Sequence, residues 1–398
     1  MNRAAAGTFY PLKSAAFSSL LVAQFFSAMA DNMLFVAAIA LLKAQPGGLQ
    51  WIPLVQASFV AAYVLLAPFV GPLADHWPKG SAMFRSNLLK LAAALAMAAG
   101  LHPLVAYALA GAGAAAYSPA KYGILTQMVG EETLVRANGW LEATTIVAIL
   151  LGVVAGGGLA DYSLTVAIGA VCAVYGAAAL SNLFIPVLPP VRILTWADWP
   201  PILRDYWRDM RRLWRETAAR LSLMGTSLFW GAGATLRVVL FAWVPVALHN
   251  SDNSLPANLM GLMSVGIVIG ALSAGHWLHL SRARRALWGG LAMGQLILLL
   301  APQAHLVPTG LLLVALGIAG GYFVIPFNAL LQERGHATVG VGRSLAVQNF
   351  FENLAMLLGS LLYFGAEKTG LGPVSVTYGF GVLVLLGMVG LGVEGRKL

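Results

Sequence analysis

GPLADHWPKG, residues 71–80, followed by Arg85, is a short polar break between two apolar runs, 51–73 and 82–100. Each run has roughly the ~20 residues that one helix needs to cross a bilayer. The break holds glycine, proline, an acid and a base, the chemistry of a connection at a water-facing edge. The flanks then become consecutive membrane helices, and the same alternation continues along the chain.

Hydrophobic residues make up 59% of the 398 and charged residues 10%, more apolar surface than a water-soluble core absorbs. Apolar runs recur near 15–42, 51–73, 82–100, 104–128, 138–160, 164–187, 221–248, 255–280, 285–302, 307–331, 344–366 and 372–393. About twelve spans are expected. Within the first run, Ala28-Met29-Ala30 of FFSAMADNMLF (25–35) looks like a leader-cleavage site behind Arg3 and Lys13. The run continues through Val36 to Leu42, so it reads as a retained first span with Asp31 and Asn32 in its middle.

Positive flanks stay in the cytoplasm. With the N-terminus inside, the inner segments carry Arg3, Lys13, Lys79, Arg85, Arg136, the group from Arg192 to Arg220, Arg282, Arg284, Arg285, Arg334, Arg343, Arg396 and Lys397. The outer segments keep only Lys43 and Lys368. The net charge of +9 therefore reports topology and contact with anionic membrane lipid, and no soluble basic domain is present to bind nucleic acid. Cys172 is the single cysteine, the seven histidines form no HExxH pair, and no GxxxxGK[ST] stretch cradles ATP phosphates.

Residues 188–220 interrupt the hydrophobic pattern with Pro189, Pro190, Pro200 and Pro201, then YWRDMRRLWRETAAR. That spacing predicts an amphipathic helix along the cytoplasmic face, with Trp207 and Trp214 among the headgroups, linking bundles 1–187 and 221–398. Pro119 and Gly152 lie 33 residues apart, as do Pro326 and Gly359, an offset of 207 between the pairs. The same offset carries Asp31 to within a residue of Arg237. Internal duplication, with a site between the repeats, is a transporter pattern.

The loop at 71–80 resembles the signature loop of the major facilitator superfamily, although Pro78-Lys79-Gly80 stands where that family usually has Gly-Arg-Lys. The resemblance implies an all-α polytopic fold of about twelve helices in two six-helix bundles. It also implies gating roles at the cytoplasmic end for Gly71, as a tight turn, and for Asp75 and Arg85, in a charge relay.

Six charged residues fall within the spans: Asp31, Glu142, Glu352, Lys90, Lys121 and Arg237. A charge at the centre of a membrane helix costs about 2.5–3.5 kcal/mol even on a lenient scale, so such groups usually face a cavity or a partner. Polar neighbours share their faces: Gln24, Ser27 and Asp31; Thr226, Gly233 and Arg237; Asn138, Glu142 and Thr145; Gln348 and Glu352; Ser118, Lys121 and Tyr122; Asn328 and Gln332. The pseudo-equivalent Asp31 and Arg237 are expected to pair across the axis, while Lys90 and Glu142, nearer their helix ends, are expected to be structural, snorkelling towards the headgroups. Asn32 is a second polar contact or a packing amide.

Arg237 as a planar fork and Lys121 as a point charge can clamp a phosphate. With Phe25, Phe26, Phe229 and Trp230 nearby, the pattern suits an amphiphile with an anionic head. The stretches AQFFSAMADN, LLKAQ, GAGAAAYSPAKYGIL, LGVVAGGGLAD, GTSLFWGAGATLR, PFNALLQERG and AVQNFFEN closely resemble the lysophospholipid transporters of bacteria, a branch of the same superfamily. That resemblance implies inward flipping of lysophosphatidylethanolamine and lysophosphatidylglycerol across a bacterial inner membrane. It further implies a cytoplasmic-side partner, the acyltransferase and acyl-carrier-protein synthetase that restores the second chain. The substrate set expected is Gln24, Phe26, Asp31, Asn32, Lys121, Tyr122, Trp230, Arg237, Asn328 and Glu352, with no resident cofactor and with Na⁺ or H⁺ as a candidate coupling ion. A drug or amphiphile/proton antiporter on the same fold is the second reading; an acyltransferase lacks a nucleophile or HxxxxD run.

Overall fold

The computed structural model describes residues 10–129, 131–190, 194–195, 198–277 and 284–395. Thirteen α-helices and a 3₁₀ turn, Gly48–Trp51, follow one another among these residues. The first six are α1 (Ala15–Lys43), α2 (Pro53–His76), α3 (Lys79–Ala98), α4 (Pro103–Met128), α5 (Glu131–Tyr162) and α6 (Leu164–Asn182). Helix α7 (Trp199–Arg215) precedes α8 (Thr217–Ala247), α9 (Ser254–Trp277), α10 (Leu287–Leu300), α11 (Leu306–Thr338), α12 (Val341–Lys368) and α13 (Pro373–Glu394).

Among the described residues, nine helical segments have the length and apolarity to cross a bilayer. Helix α3 falls short because Lys79, Arg85 and Lys90 sit on it, α4 because Gly, Tyr, Pro and Lys121 dilute it, and α10 because it has 14 residues. All three pack against the longer helices: α3 and α4 on each other and on α6 and α2, α10 on α11 and α13. The chain is a multi-pass membrane protein.

Local chemistry sets the helix ends. Ser14 accepts from the Phe17 amide at 3.2 Å and Ser163 from the Val166 amide at 3.5 Å, capping α1 and α6. Pro53, Pro103 and Pro373 open their helices, where a missing N–H leaves no gap in the ladder. Glu216 accepts from the Ala219 amide and starts α8 at Thr217, four residues before the apolar run.

Helix α1 packs on α4, α5 and α6, and α8 on α11, α12 and α13, so each is the buried axis of its half. Small residues bring helix backbones together. A methyl group added at Gly266 or Gly270 of α9 would strike the carbonyls of Val314 or Ile318, and one at Gly317 or Gly321 of α11 those of Met263 or Ile267. This reciprocal small-xxx-small pair makes α9 and α11 a single tight unit. Gly152 meets Met29 and Asn32 of α1, while Gly359 meets Thr235 and Gly231 of α8, so the repeated glycines mark corresponding helix crossings.

The halves touch along α2 with α12 and α5 with α9. At the end carrying Lys43 and Lys368, Asp161 accepts from the amides of Asn253 and Ser254, both at 2.7 Å. Trp51 stacks on Phe364 at 6.2 Å, and Lys368 donates to Gln50 at 3.0 Å. At the opposite end α7 lies under the second half: Arg343 meets Asp209 at 3.2 Å, and Trp214 stacks on Phe351 at 5.1 Å. Burial pushes the Tyr206 hydroxyl above its ordinary pKa on this helix, while Trp207 and Trp214 stay 51% and 41% exposed.

Gly71 is not a turn. It lies inside α2, which runs to His76, and the break shrinks to Trp77 and Pro78. Asp75 pairs with Lys79 at 2.5 Å across this break, and the Arg85 guanidinium sits 4.6 Å above the Trp77 ring.

Candidate functional site

A central cavity of about 210 Å³ is walled by α1 to α5 and reached from the second half by Arg237 of α8. Gln24, Asp31, Asn32, Lys121 and Arg237, all expected from the sequence, line it together with Lys90. Its aromatic wall comes from Phe59 and Tyr63 on α2 and Tyr107 and Tyr117 on α4.

Asp31 does not pair with Arg237. Its carboxylate receives the Lys90 ammonium at 2.8 Å and the Tyr175 hydroxyl at 2.8 Å. Lys90 also donates to Ser27 at 2.9 Å, and Ser27 to Asn87 at 2.8 Å. Successive residues of a helix diverge by about 100°, so Asp31 turns towards α3 and α6 while Asn32 turns towards α8. Lys90 is therefore no snorkelling end residue: it is 1% exposed, well inside α3, and its ammonium lies 4.9 Å from the Tyr117 ring centre.

Arg237 donates instead to Asn32 Oδ1 at 2.9 Å, and its guanidinium lies 3.7 Å above the Phe35 ring. The Asn32 amide is oriented in turn by donating to the Ala28 carbonyl at 2.8 Å. Arg237 Nε is buried with no hydrogen-bond partner, and among the described residues no carboxylate pairs with this guanidinium. Asp31 and Lys90 cancel each other, so Arg237 leaves positive charge facing the cavity. Lys121 lines the same cavity, its ammonium 4.2 Å from the Tyr122 ring centre. The arrangement can receive an anion through a charge-assisted fork and a point charge.

The other expected substrate residues are not among those lining this cavity. Phe26 lies edge-on to Phe25, and Trp230, 42% exposed, packs edge-on to Phe229 at 5.3 Å. Tyr122 stands behind Lys121 as its ring partner. Asn328 and Glu352 form a separate cluster through Gln348. The side chains of Asn138, Glu142 and Gln332 lie outside the described residues. The tyrosine wall and Gln56 were missed, although Tyr107, Ala114, Tyr117 and Lys121 follow i, i+7, i+10 and i+14 on one helical face.

A lysophospholipid transporter of Enterobacter sp. (strain 638) is 48% identical over 377 residues, 94% of each chain. One from Yersinia pestis (strain Pestoides F) is 48% identical over 370 residues, 92% of this chain and 90% of that protein. The fold matches that of a POT family transporter crystallised with 5-aminolevulinic acid, with a TM-score of 0.72 at 10% identity over 96% of both chains. The family profile matches residues 20–360: the chain belongs to the Major Facilitator Superfamily.

Proposed function

We propose that the protein is a secondary transporter moving lysophospholipids, such as lysophosphatidylethanolamine and lysophosphatidylglycerol, from the outer to the cytoplasmic leaflet of a bacterial inner membrane for re-acylation. The observation that carries this reading is Arg237, a half-buried cavity cation held by a neutral amide and beside a carboxylate already neutralised by lysine. A lipid phosphate supplies the missing negative charge. About 210 Å³ is below the ~300–1,000 Å³ of sites that enclose drug-sized ligands, so the headgroup occupies the cavity and the acyl chain extends out between helices. The names of the close relatives support the substrate class.

In this reading residues 1–187 and 221–398 rock about the cavity, and 188–220 is the cytoplasmic linker. Both termini face the cytoplasm, where the acyltransferase and acyl-carrier-protein synthetase takes the product. The ties at Asp161, Trp51 and Gln50 close the outer side, and Asp75, Lys79 and Arg85 act at the inner edge. The test is lysolipid uptake by spheroplasts carrying Arg237→Ala or Lys121→Ala at matched protein levels. Uptake falls by at least tenfold for Arg237→Ala; near-normal uptake by both variants overturns the proposal.

A further inference from the structure

Glu352 of α12 is 7% exposed, yet among the described residues no Lys, Arg or His forms an ion pair with it. Its hydrogen-bond donor is neutral: Gln348 Nε2 donates to Glu352 Oε1 at 2.7 Å, while the Thr226 hydroxyl of α8, close to the same carboxylate, donates to the Leu223 carbonyl at 3.4 Å. Gln348 Nε2 also donates to Asn328 Oδ1 of α11 at 2.7 Å, which bridges two acceptor oxygens with one amide group. Gln348 is itself 7% exposed, and its Oε1 has no hydrogen-bond partner. A carboxylate at bilayer depth without a countercharge is costly, and so is an unsatisfied buried oxygen beside it.

A cation can take the place of the Gln348 amide donor between these oxygens. Turning the Gln348 amide by half a revolution exchanges its nitrogen and oxygen, so three oxygens, from Glu352, Asn328 and Gln348, converge with the Thr226 hydroxyl beside them. Converging oxygens repel one another unless a hard cation sits between them, and oxygen-only donor sets select such ions.

We propose that Glu352, Gln348, Asn328 and Thr226 form a binding site for a sodium-sized monovalent cation, separate from the central cavity. The donors lie on α8, α11 and α12, so occupancy joins three helices of one half. Any coupling of this ion to transport rests on the transporter reading; its binding does not.

The experiment uses the purified full chain in lipid nanodiscs in a choline buffer, with NaCl, KCl or choline chloride added at constant ionic strength. A ligand that binds the folded state raises the thermal midpoint in a saturable way. The midpoint rises with NaCl and not with the other salts. Glu352→Gln and Gln348→Met each raise the half-saturating sodium concentration by about tenfold or more, as expected when charge or a ligand oxygen is removed. The second variant carries the test if the first fails to fold. The double variant Lys90→Met with Asp31→Asn, which removes the central-cavity pair without leaving a charge unpaired, keeps the sodium response. Equal response to all three salts, retention of the wild-type half-saturating sodium concentration in Glu352→Gln and Gln348→Met, or loss of the response in the Lys90→Met, Asp31→Asn double variant alone overturns the proposal. No lysolipid is present, so a failed site and a failed transport assignment give different results.

Discussion

Arg237 of α8 donates from Nη2 to Oδ1 of Asn32 on α1, 2.9 Å away, and so joins the two halves through a cation and a neutral amide. Phe35, one turn beyond Asn32, lies under the same guanidinium at 3.7 Å and meets Phe241 edge-on at 5.8 Å. The contact fixes where the guanidinium points without consuming its charge. A carboxylate in the place of Asn32 would consume it.

Asn32→Asp therefore tests whether surplus charge, rather than the mere presence of arginine, is what the cavity needs. A buried charge-assisted bond is about twice as strong as a neutral one, and the new pair competes directly with an incoming phosphate. Lysolipid uptake should fall by about tenfold or more, a loss on the order of 1.4 kcal/mol, with protein abundance unchanged. Asn32→Ala removes the anchor but keeps the charge, and its loss should be smaller. Equal activity of the aspartate variant and the parent protein would contradict this account of the cavity.

The spans, the linker helix and the identities of the charged residues were legible from hydrophobic periodicity and charge bias alone. Their partners were not. Asp31 and Asn32 are adjacent in the chain, yet helical rotation sends them to different neighbours, and only the placement of α3 and α6 shows that Lys90 and Tyr175 stand where Arg237 was expected. The tyrosine wall of α4 was hidden in an alanine-rich stretch that reads as packing. Gly71 misled because glycine beside proline signals a turn, whereas α2 accommodates Pro68 and Pro72 and continues to His76; membrane helices tolerate such residues when neighbours satisfy the freed carbonyls.

The pair of Lys90 and Asp31 makes a second prediction, on stability. Lys90 is 1% exposed and its carboxylate partner is 2.8 Å away. Removing one member of a buried pair typically costs about 3–5 kcal/mol, because the other is left as an uncompensated charge. Lys90→Met alone should lower expression and the thermal midpoint sharply, and adding Asp31→Asn should restore much of both. A double variant no more stable than Lys90→Met would show that the two side chains do not act as a unit.

Gly152 carries a third prediction, because its place on α5 faces Met29 and Asn32 of α1, and a methyl group there contacts the Asn32 Cβ at 3.0 Å. Gly152→Ala pushes α1 away at the residue that orients Arg237. Lysolipid uptake should drop several-fold with the protein still folded. Gly158→Ala on the same helix, where an added methyl meets nothing within 4 Å, should behave as the parent. Uptake and thermal midpoint measured on both variants separate a packing effect from a general intolerance of alanine in α5.

Asp161 ties the halves at the end carrying Lys43 and Lys368, and its geometry says what its loss should do. One oxygen accepts from the Asn253 amide at 2.7 Å and the Asn253 side chain at 3.0 Å, the other from the Ser254 amide at 2.7 Å. These are the first donors of α9, so a carboxylate from α5 caps a helix of the opposite half and meets the positive end of its dipole. Replacing a capping carboxylate typically costs about 1 kcal/mol. Here that cost falls on the closed arrangement alone, because separating the halves breaks the same bonds. Asp161→Ala should therefore raise the population opened at this end by about fivefold, the factor that 1 kcal/mol represents. A cysteine placed at Ser254 in a Cys172→Ser background reports it: labelling by a membrane-impermeant maleimide should quicken in Asp161→Ala and stay slow in Asp161→Asn, which keeps one acceptor oxygen. Unchanged labelling in the alanine variant would mean that Trp51, Phe364, Gln50 and Lys368 hold this end closed without the cap.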